Sequence, residues 1–257
     1  MPFLERDGVK LYFEEKGVGE PAMLLVHGWT CNHSHFAAQA DYFSKSHRVV
    51  SVDLRGHGRS DAPQQEYTLD GFADDLAWLC GQLGLNRPIV CGHSMGGFVV
   101  LVMAARHPDH VRARILVDSP FVRMEDFEAR IGPIVESWKQ PDYRPAVSAF
   151  IDTMFSPADD PQIRAQITQQ MLSTPQHVLT SAMTSIATTD LEAAALSASQ
   201  PLLVISAGLF AFDMTRARQM LPEAHFGQTV GSGHFNMVEV PGQVNAMIER
   251  FLAVEEL

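Results

Sequence analysis

A serine lies between two glycines at residues 92–96, which read Gly-His-Ser-Met-Gly. An apolar, β-favouring run precedes this segment and a helical pattern over residues 98–106 follows it, so the sequence predicts strand, tight turn and helix. Such a turn forces Ser94 into a strained backbone conformation, which requires that Gly92 and Gly96 have no side chains to clash. We interpret Ser94 as a nucleophile; the alternative is a serine that only caps the helix.

A serine hydroxyl is a poor nucleophile at neutral pH and needs a base within hydrogen-bond reach. His234 is the candidate, because it lies in a loop of small residues, 231–235, after the last predicted strand. His93 adjoins the serine, but its side chain is expected to point away at a sharp turn. His27 and His57 are expected to brace loops by hydrogen bonding.

The base in turn needs a carboxylate to hold its tautomer and stabilise the imidazolium. Asp118 ends the strand that follows the helix after Ser94, and Asp213 lies seven residues beyond a later strand. Asp118 also fits a structural loop anchor, and Asp213 also fits the N-cap of the predicted helix 214–220. From the residues alone both aspartates are candidates for the acid.

Acyl transfer also requires donors for a developing oxyanion. The backbone N–H of Met95, directly after the nucleophile, is one expected donor. The other is expected from the loop after strand 23–26, at Trp29.

The 257 residues suit one α/β domain with an insertion; 46% are hydrophobic and 19% charged. Nineteen basic against 30 acidic residues give a net charge of −11, which argues against nucleic acid or an anionic membrane as a partner. Neither a signal peptide nor a run of 18 apolar residues is visible. The three cysteines do not have the spacing of a metal site. We therefore expect a cytoplasmic protein that has no cofactor and no metal and that acts on a small molecule. The sequence carries no expectation about oligomeric state.

Apolar runs that alternate with helical patterns predict a mostly parallel sheet buried on both faces. The predicted strands are 3–6, 9–14, 23–26, 48–52, 89–91, 113–118, 201–206 and 225–230, and the helices outside the insertion are 69–83, 98–106, 213–220 and 244–254. Functional groups gather at the carboxyl ends of such strands. Trp29, Asp53, Ser94 and Asp118 all fall there.

Helical periodicity replaces strand patterns between residues 119 and 200. About eighty residues are too many for one crossover connection, so this segment is predicted to form a helical cap over the active end of the sheet. The predicted division is a core of residues 1–118 and 201–257 and a cap of residues 119–200.

With these residues identified, the chain resembles the α/β-hydrolase superfamily, specifically its small, capped esterases, lactonases and carbon–carbon hydrolases. The resemblance rests on His-Gly-Trp at 27–29, Asp-Leu-Arg-Gly-His-Gly-Arg-Ser at 53–60, Gly-His-Ser-Met-Gly-Gly at 92–97 and Gly-Ser-Gly-His-Phe at 231–235. It implies an α/β fold with a mostly parallel eight-stranded sheet, helices on both faces and a helical cap inserted after the sixth strand.

One stretch departs from the pattern of most such relatives, which carry the acid a few residues after the strand that matches 202–206. Residues 208–213 read Gly-Leu-Phe-Ala-Phe-Asp, without an acid at that place. Some branches of the superfamily draw the acid from the end of the preceding strand, where this chain has Asp118. The resemblance therefore favours Asp118 over Asp213.

The resulting hypothesis is a serine hydrolase that cleaves a small to medium-sized, largely apolar ester or lactone. The plausible pocket or cap aromatics are Trp29, Phe98, Phe121, Trp138, Phe210 and Phe212, and Arg55 and Arg59 are expected to be structural. Three alternatives stand beside it: a carbon–carbon hydrolase of a diketone-like substrate, a cofactor-free oxygenase using His234 and Asp118, and a slow-turnover ligand receptor or regulator.

Overall fold

The fold is described from a computed structural model, which covers residues 2–122, 126–209 and 213–257. Eight strands form one sheet: β1 (Phe3–Arg6), β2 (Val9–Lys16), β3 (Met23–Val26), β4 (Val49–Val52), β5 (Ile89–His93), β6 (Ala113–Val117), β7 (Leu202–Ser206) and β8 (His225–Gln228). Their order is β1-β2-β4-β3-β5-β6-β7-β8. β2 pairs antiparallel with β1 and β4, and the other strands pair in parallel. The predicted mostly parallel eight-stranded sheet is confirmed.

The α-helices are α1 (Ala37–Phe43), α2 (Leu69–Leu83), α3 (Met95–Arg106), α4 (Phe127–Trp138), α5 (Arg144–Asp152), α6 (Pro161–Met171), α7 (Gln176–Thr188), α8 (Leu191–Leu196), α9 (Met214–Met220), α10 (Asn236–Glu239) and α11 (Pro241–Val254). Short 3-10 turns span His33–Phe36 and Pro108–His110. α1 packs with α11, whereas α2 packs with α3, and α3 with α8. The helices therefore cover both faces of the sheet, as expected for a parallel sheet.

The central strands are mostly apolar and are buried along their whole length, including the few polar residues that they contain. Every residue of β3, β4, β5, β6 and β7 is buried. β8 is only partly buried, since it lies at the edge of the sheet, and it ends at Gln228, two residues before the predicted end. Asp7 and Gly8 both have positive φ, 53° and 78°, which is the type I′ turn expected between β1 and β2.

Several helical features differ from the sequence prediction: α10 was not predicted, α11 begins at Pro241 rather than at residue 244, and α3 and α1 also differ. α3 begins at Met95 rather than at residue 98, because Gly96 is helical despite its low propensity. A Cβ at Gly96 would lie 2.2 Å from the carbonyl oxygen of Val26, so close packing on β3 requires a glycine there. The pattern analysis missed α1, since a helix of seven residues is too short to show a clear period.

The segment between β6 and β7 is helical in its described part. α4 packs against α7 and α5, α5 packs against α6, and α7 reaches the core helix α2. This is the segment predicted to form the cap. No helix among the described residues is long and apolar enough to cross a membrane.

Candidate active site

Ser94 lies at the sharp turn between β5 and α3. Its φ of 51° and ψ of −120° are strained for a residue with a side chain. A Cβ at Gly92 would lie 2.3 Å from the carbonyl carbon of Gly96, so the turn closes only when both flanking positions are glycine. The serine side chain does not cap α3, and the residue is partly exposed.

Asp118 and His234 form a buried hydrogen-bonded pair. Nδ1–H of His234 donates to Oδ2 of Asp118 over 2.6 Å, and the backbone N–H of Ala207 donates to Oδ1 of Asp118 over 2.7 Å. The exposed fractions of the two side chains are 4% for His234 and 5% for Asp118. With Nδ1 as the donor, Nε2 of the neutral ring carries the lone pair that a general base needs.

Asp213 lies apart from this pair. Its side chain accepts the backbone N–H of Arg216 over 2.8 Å and caps α9. Of the two aspartates that the sequence left as candidates, Asp118 is therefore the one that contacts His234.

His93 links the turn of Ser94 to the loop of His234. Nε2–H of His93 donates to the backbone oxygen of His234 over 2.9 Å, and the two ring centroids are 4.5 Å apart. Burial, and then the neighbouring His234, hold the pKa of His93 well below its usual range. The ring is therefore neutral, and its hydrogen bond joins β5 to the end of the sheet that carries His234.

The two backbone amides expected as oxyanion donors have no hydrogen-bond acceptor among the described residues. Met95 is the first residue of α3, so its N–H has no acceptor within the helix. The N–H of Trp29 has no acceptor among the described residues. A Cβ at Gly28 would lie 3.2 Å from Cβ of Ser94, so the chain before Trp29 passes beside the serine.

Aromatic side chains cover this end of the sheet. The Trp29 ring stacks on that of Trp138 with centroids 5.2 Å apart, and Phe150 packs edge-on against both. Nε1–H of Trp29 donates to the carbonyl of Leu179 in α7 over 2.9 Å. Trp29 and Trp138 are themselves buried in the core, as are Phe98 and Phe121. Phe210 and Phe212 lie outside the described residues.

His27 and His57 hydrogen-bond to the loops around them. Nε2 of His27 accepts the N–H of Leu54 over 3.0 Å, and Nδ1–H of His57 donates to the oxygen of Arg55 over 3.0 Å. Burial lowers the pKa of His27 to about 3 and that of His57 to about 4, so both rings are neutral. They brace loops rather than reach the serine.

The sequence analysis missed two carboxylates beside the His234 loop. Oε2 of Glu239 accepts the N–H of Gly233 over 2.6 Å, and Oδ2 of Asp159 lies where a Cβ of Gly233 would stand. Glu239 could have been found from the sequence, because it follows His234 by only five residues. Asp159 lies after α5, far from any motif, so no feature of the sequence indicated that it is near His234. Within the described ranges, no group of three or more His, Cys, Asp or Glu side chains is arranged to hold a metal ion.

Comparison with known proteins identifies both the family and similar enzymes. A family model described as the alpha/beta hydrolase fold matches residues 21–150. A 2-(acetamidomethylene)succinate hydrolase of Mesorhizobium japonicum is 34% identical over 161 residues, which cover 62% of this chain and 58% of that protein. The match thus spans less than two thirds of the relative's own length.

Two solved structures resemble the whole fold. The enol-lactonase from Burkholderia xenovorans LB400 has a TM-score of 0.88 and 25% identity, over 98% of this chain and all of that one. A thermophilic esterase from Thermogutta terrifontis has a TM-score of 0.86 and 25% identity, over 98% of this chain and 96% of that one. Both are similar in fold from end to end, including the helices between β6 and β7.

Proposed function

Because this chain belongs to the α/β-hydrolase family, we propose that it is a serine hydrolase that cleaves carboxylic esters or lactones through an acyl-enzyme on Ser94. The hydrogen bond between Asp118 and His234 is the observation that carries this proposal. A buried carboxylate aligned on Nδ1 of a histidine leaves Nε2 as the base, which is the arrangement that activates a serine hydroxyl.

In the proposed reaction, Oγ of Ser94 attacks the carbonyl carbon while its proton passes to Nε2 of His234. The oxyanion that forms is stabilised by the N–H groups of Met95 and Trp29. The His234 imidazolium then protonates the leaving alkoxide, which departs as an alcohol. A water molecule, deprotonated by His234, attacks the acyl-enzyme and releases the carboxylic acid and the free serine.

The two arginines of the loop 53–60 are engaged within the protein, which supports a neutral substrate. Arg55 forms an ion pair with Asp75 through Nε and a second hydrogen bond through one terminal nitrogen. Arg59 packs over the ring of Tyr12 and donates to its hydroxyl. With these guanidinium groups engaged, the stacked Trp29 and Trp138 support a substrate that is largely apolar.

We also propose that residues 119–200 act as a cap over the site. The indole of Trp29 is bound to α7, and Oγ1 of Thr174 donates to the backbone oxygen of Thr30 over 3.3 Å. The segment is thus attached directly to the loop that supplies one proposed oxyanion donor. The enol-lactonase and the esterase of similar fold support hydrolysis of an ester-type bond at such a site.

A small phosphonate ester probe, followed by intact-protein mass measurement, tests the nucleophile. We expect stoichiometric labelling of the wild type and of Ser137→Ala, a matched control at an exposed serine of α4, and no labelling of Ser94→Ala. A panel of neutral and anionic esters and lactones of equal length then tests the substrate class. An unlabelled wild type would overturn the proposal and favour the oxygenase or receptor alternatives.

A further inference from the structure

Two carboxyl groups meet where the predicted cap reaches the loop of His234. We define the cap segment as residues 154–159 and the histidine loop as residues 231–235. Oδ2 of Asp159 accepts the N–H of Ser156 in the cap segment over 2.6 Å, and Oε2 of Glu239 accepts the N–H of Gly233 in the histidine loop over 2.6 Å. Both carboxylates lie against the backbone of Gly233, since a Cβ at that residue would be 2.4 Å from Oδ2 of Asp159.

The remaining oxygens of this pair indicate a shared proton. Oδ1 of Asp159 and Oε1 of Glu239 are both buried and accept no hydrogen bond from any donor in the described chain. Two buried carboxylates that meet at one backbone position repel when both are ionised, whereas one proton between them allows a strong hydrogen bond. Burial and the neighbouring Asp159, opposed by the Gly233 N–H, raise the pKa of Glu239 to about 7.

No cation compensates the pair from the cap or from the histidine loop. Arg164 on α6 is bound to Asp152 over 2.9 Å, and its guanidinium lies over the ring of Phe155. His234 is held by Asp118. Neither carboxylate of the pair forms an ion pair with any Lys, Arg or His among residues 2–122, 126–209 and 213–257.

The elements packed around α10 supply no compensating charge either. His35, in the 3-10 turn against α10, has a pKa lowered by burial to about 4 and is neutral. His33 in the same turn is paired with Asp53 over 2.7 Å. On α1, Asp41 is paired with Lys16 over 2.7 Å. The first turn of α11, residues 241–244, contains no charged side chain.

The pair lies beside other contacts between the same two segments. The backbone N–H of His234 donates to the oxygen of Met154 over 3.0 Å. The rings of Phe155 and Phe235 are 5.1 Å apart. A Cβ at Gly233 would lie 2.4 Å from Oδ2 of Asp159, so the carboxylate rests directly on the backbone next to His234.

We propose that Asp159 and Glu239 are positioning residues for His234: they share one proton, and the resulting carboxyl–carboxylate hydrogen bond holds the cap segment against the histidine loop. This inference rests on the proposed function, in which His234 is the base. Loss of the shared proton at alkaline pH leaves two adjacent negative charges, which separate the segments and displace His234 from the serine.

The pH dependence of phosphonate labelling tests this role. In the wild type the rate is expected to fall by about tenfold per pH unit at alkaline pH, once the shared proton is lost. Glu239→Gln keeps an oxygen for Gly233 N–H and offers an N–H to Asp159, so it mimics the protonated pair. Its rate is expected to stay high at alkaline pH.

Asp159→Asn is the second variant, because the asparagine NH₂ group can donate to the Glu239 carboxylate in place of the shared proton. It should also remove the fall in the labelling rate at alkaline pH. Asp160→Asn is the matched control: Asp160 caps α6 by accepting the N–H of Gln162, and asparagine caps equally well. This control is expected to keep the wild-type profile. An alkaline fall that persists unchanged in both Glu239→Gln and Asp159→Asn overturns the inference.

A readout without catalysis separates this inference from the proposed function. In Ser94→Ala, infrared spectroscopy near pH 6 should show a carboxylic acid band that is lost at alkaline pH and is absent from the double variant with Glu239→Gln. If the wild type is never labelled but this band is present, the serine-hydrolase proposal fails while the shared proton stands. If labelling requires Ser94 but the band is absent, the positioning role is wrong.

Discussion

Asp118 and His234 are 116 residues apart in the sequence, yet Oδ2 of Asp118 accepts the Nδ1–H of His234 over 2.6 Å. The other carboxylate oxygen accepts the N–H of Ala207, at the end of β7. Asp118 itself has a φ of 43°, directly after the last residue of β6. Two neighbouring parallel strands therefore fix one carboxylate, and that carboxylate orients the ring from the loop after β8.

Asp118→Asn should reduce the labelling or ester hydrolysis rate by about 10³- to 10⁴-fold. If the asparagine NH₂ group faces Ala207, it opposes the backbone N–H. If it faces His234, it either opposes Nδ1–H or makes Nδ1 the acceptor, which places the ring proton on Nε2 and removes the base. The histidine then loses its orienting acceptor or the loop loses its anchor. Stopped-flow labelling at several pH values measures the change.

Asp213→Asn is the matched control for that variant. Asp213 accepts the N–H of Arg216 as the cap of α9, and asparagine is an equally good capping residue. We expect an unchanged rate. A large loss in Asp213→Asn together with a normal rate in Asp118→Asn would assign the acid to Asp213 instead.

Ser94→Gly should give a more stable protein than Ser94→Ala, although both are expected to be inactive. The φ of 51° and ψ of −120° strain any side chain, and only glycine adopts them freely. Relief of this strain should raise the free energy of unfolding by about 1 kcal/mol relative to alanine. Urea denaturation measures the difference, and equal stabilities would show that the turn stores no strain.

Gly96→Ala should destabilise the protein by about 3 kcal/mol or prevent folding. The added methyl group would lie 2.2 Å from the oxygen of Val26, and the backbone of β3 cannot move without disturbing the sheet. Gly81→Ala in the exposed part of α2 is the control, since nothing lies within 4 Å of its Cβ position. It should raise the free energy of unfolding by about 1 kcal/mol, and thermal or urea unfolding compares the two.

The free energy of unfolding should fall as the pH decreases from about 6.5 toward 4. Burial lowers the pKa of His27 to about 3 and that of His57 to about 4. Between these values and about 6.5, both histidines are protonated in the unfolded chain and neutral in the folded protein. Each of these histidines contributes a slope of about 1.4 kcal/mol per pH unit. The raised pKa of Glu239 opposes part of this slope, because its protonation favours the folded state.

His57→Leu tests the origin of this acid sensitivity. The variant loses the hydrogen bond to Arg55 and should be less stable at neutral pH by about 1 kcal/mol. Its free energy of unfolding should nevertheless depend less steeply on pH than that of the wild type. The half-buried His110 provides the control, and His110→Gln should keep the wild-type slope. Urea denaturation series between pH 4.5 and 7 make the comparison.

Much of the fold was predictable because its signals are local. β3, β7 and α2 follow continuous apolar runs or three- and four-residue periodicity, and the structure places them at or within one residue of the predicted bounds. The Ser94 turn was equally visible, since a serine with glycines two residues away on either side is typical of a sharp strand-to-helix turn. α1 and the early start of α3 were not predictable, because packing against neighbouring elements overrides weak local propensity there.

The sequence by itself identified the serine at a strained turn, the histidine in a loop of small residues and two candidate aspartates, of which the family resemblance favoured Asp118. Only the tertiary structure brought Asp118 to His234, because that contact depends on how two neighbouring parallel strands and the loop after β8 meet at one edge of the sheet. The proposed pairing of Asp159 with Glu239 likewise joins residues 80 positions apart, because both carboxylates lie against the backbone of Gly233. Spacing along a chain specifies residue types and local turns, whereas contacts between distant carboxylates and histidines follow from packing.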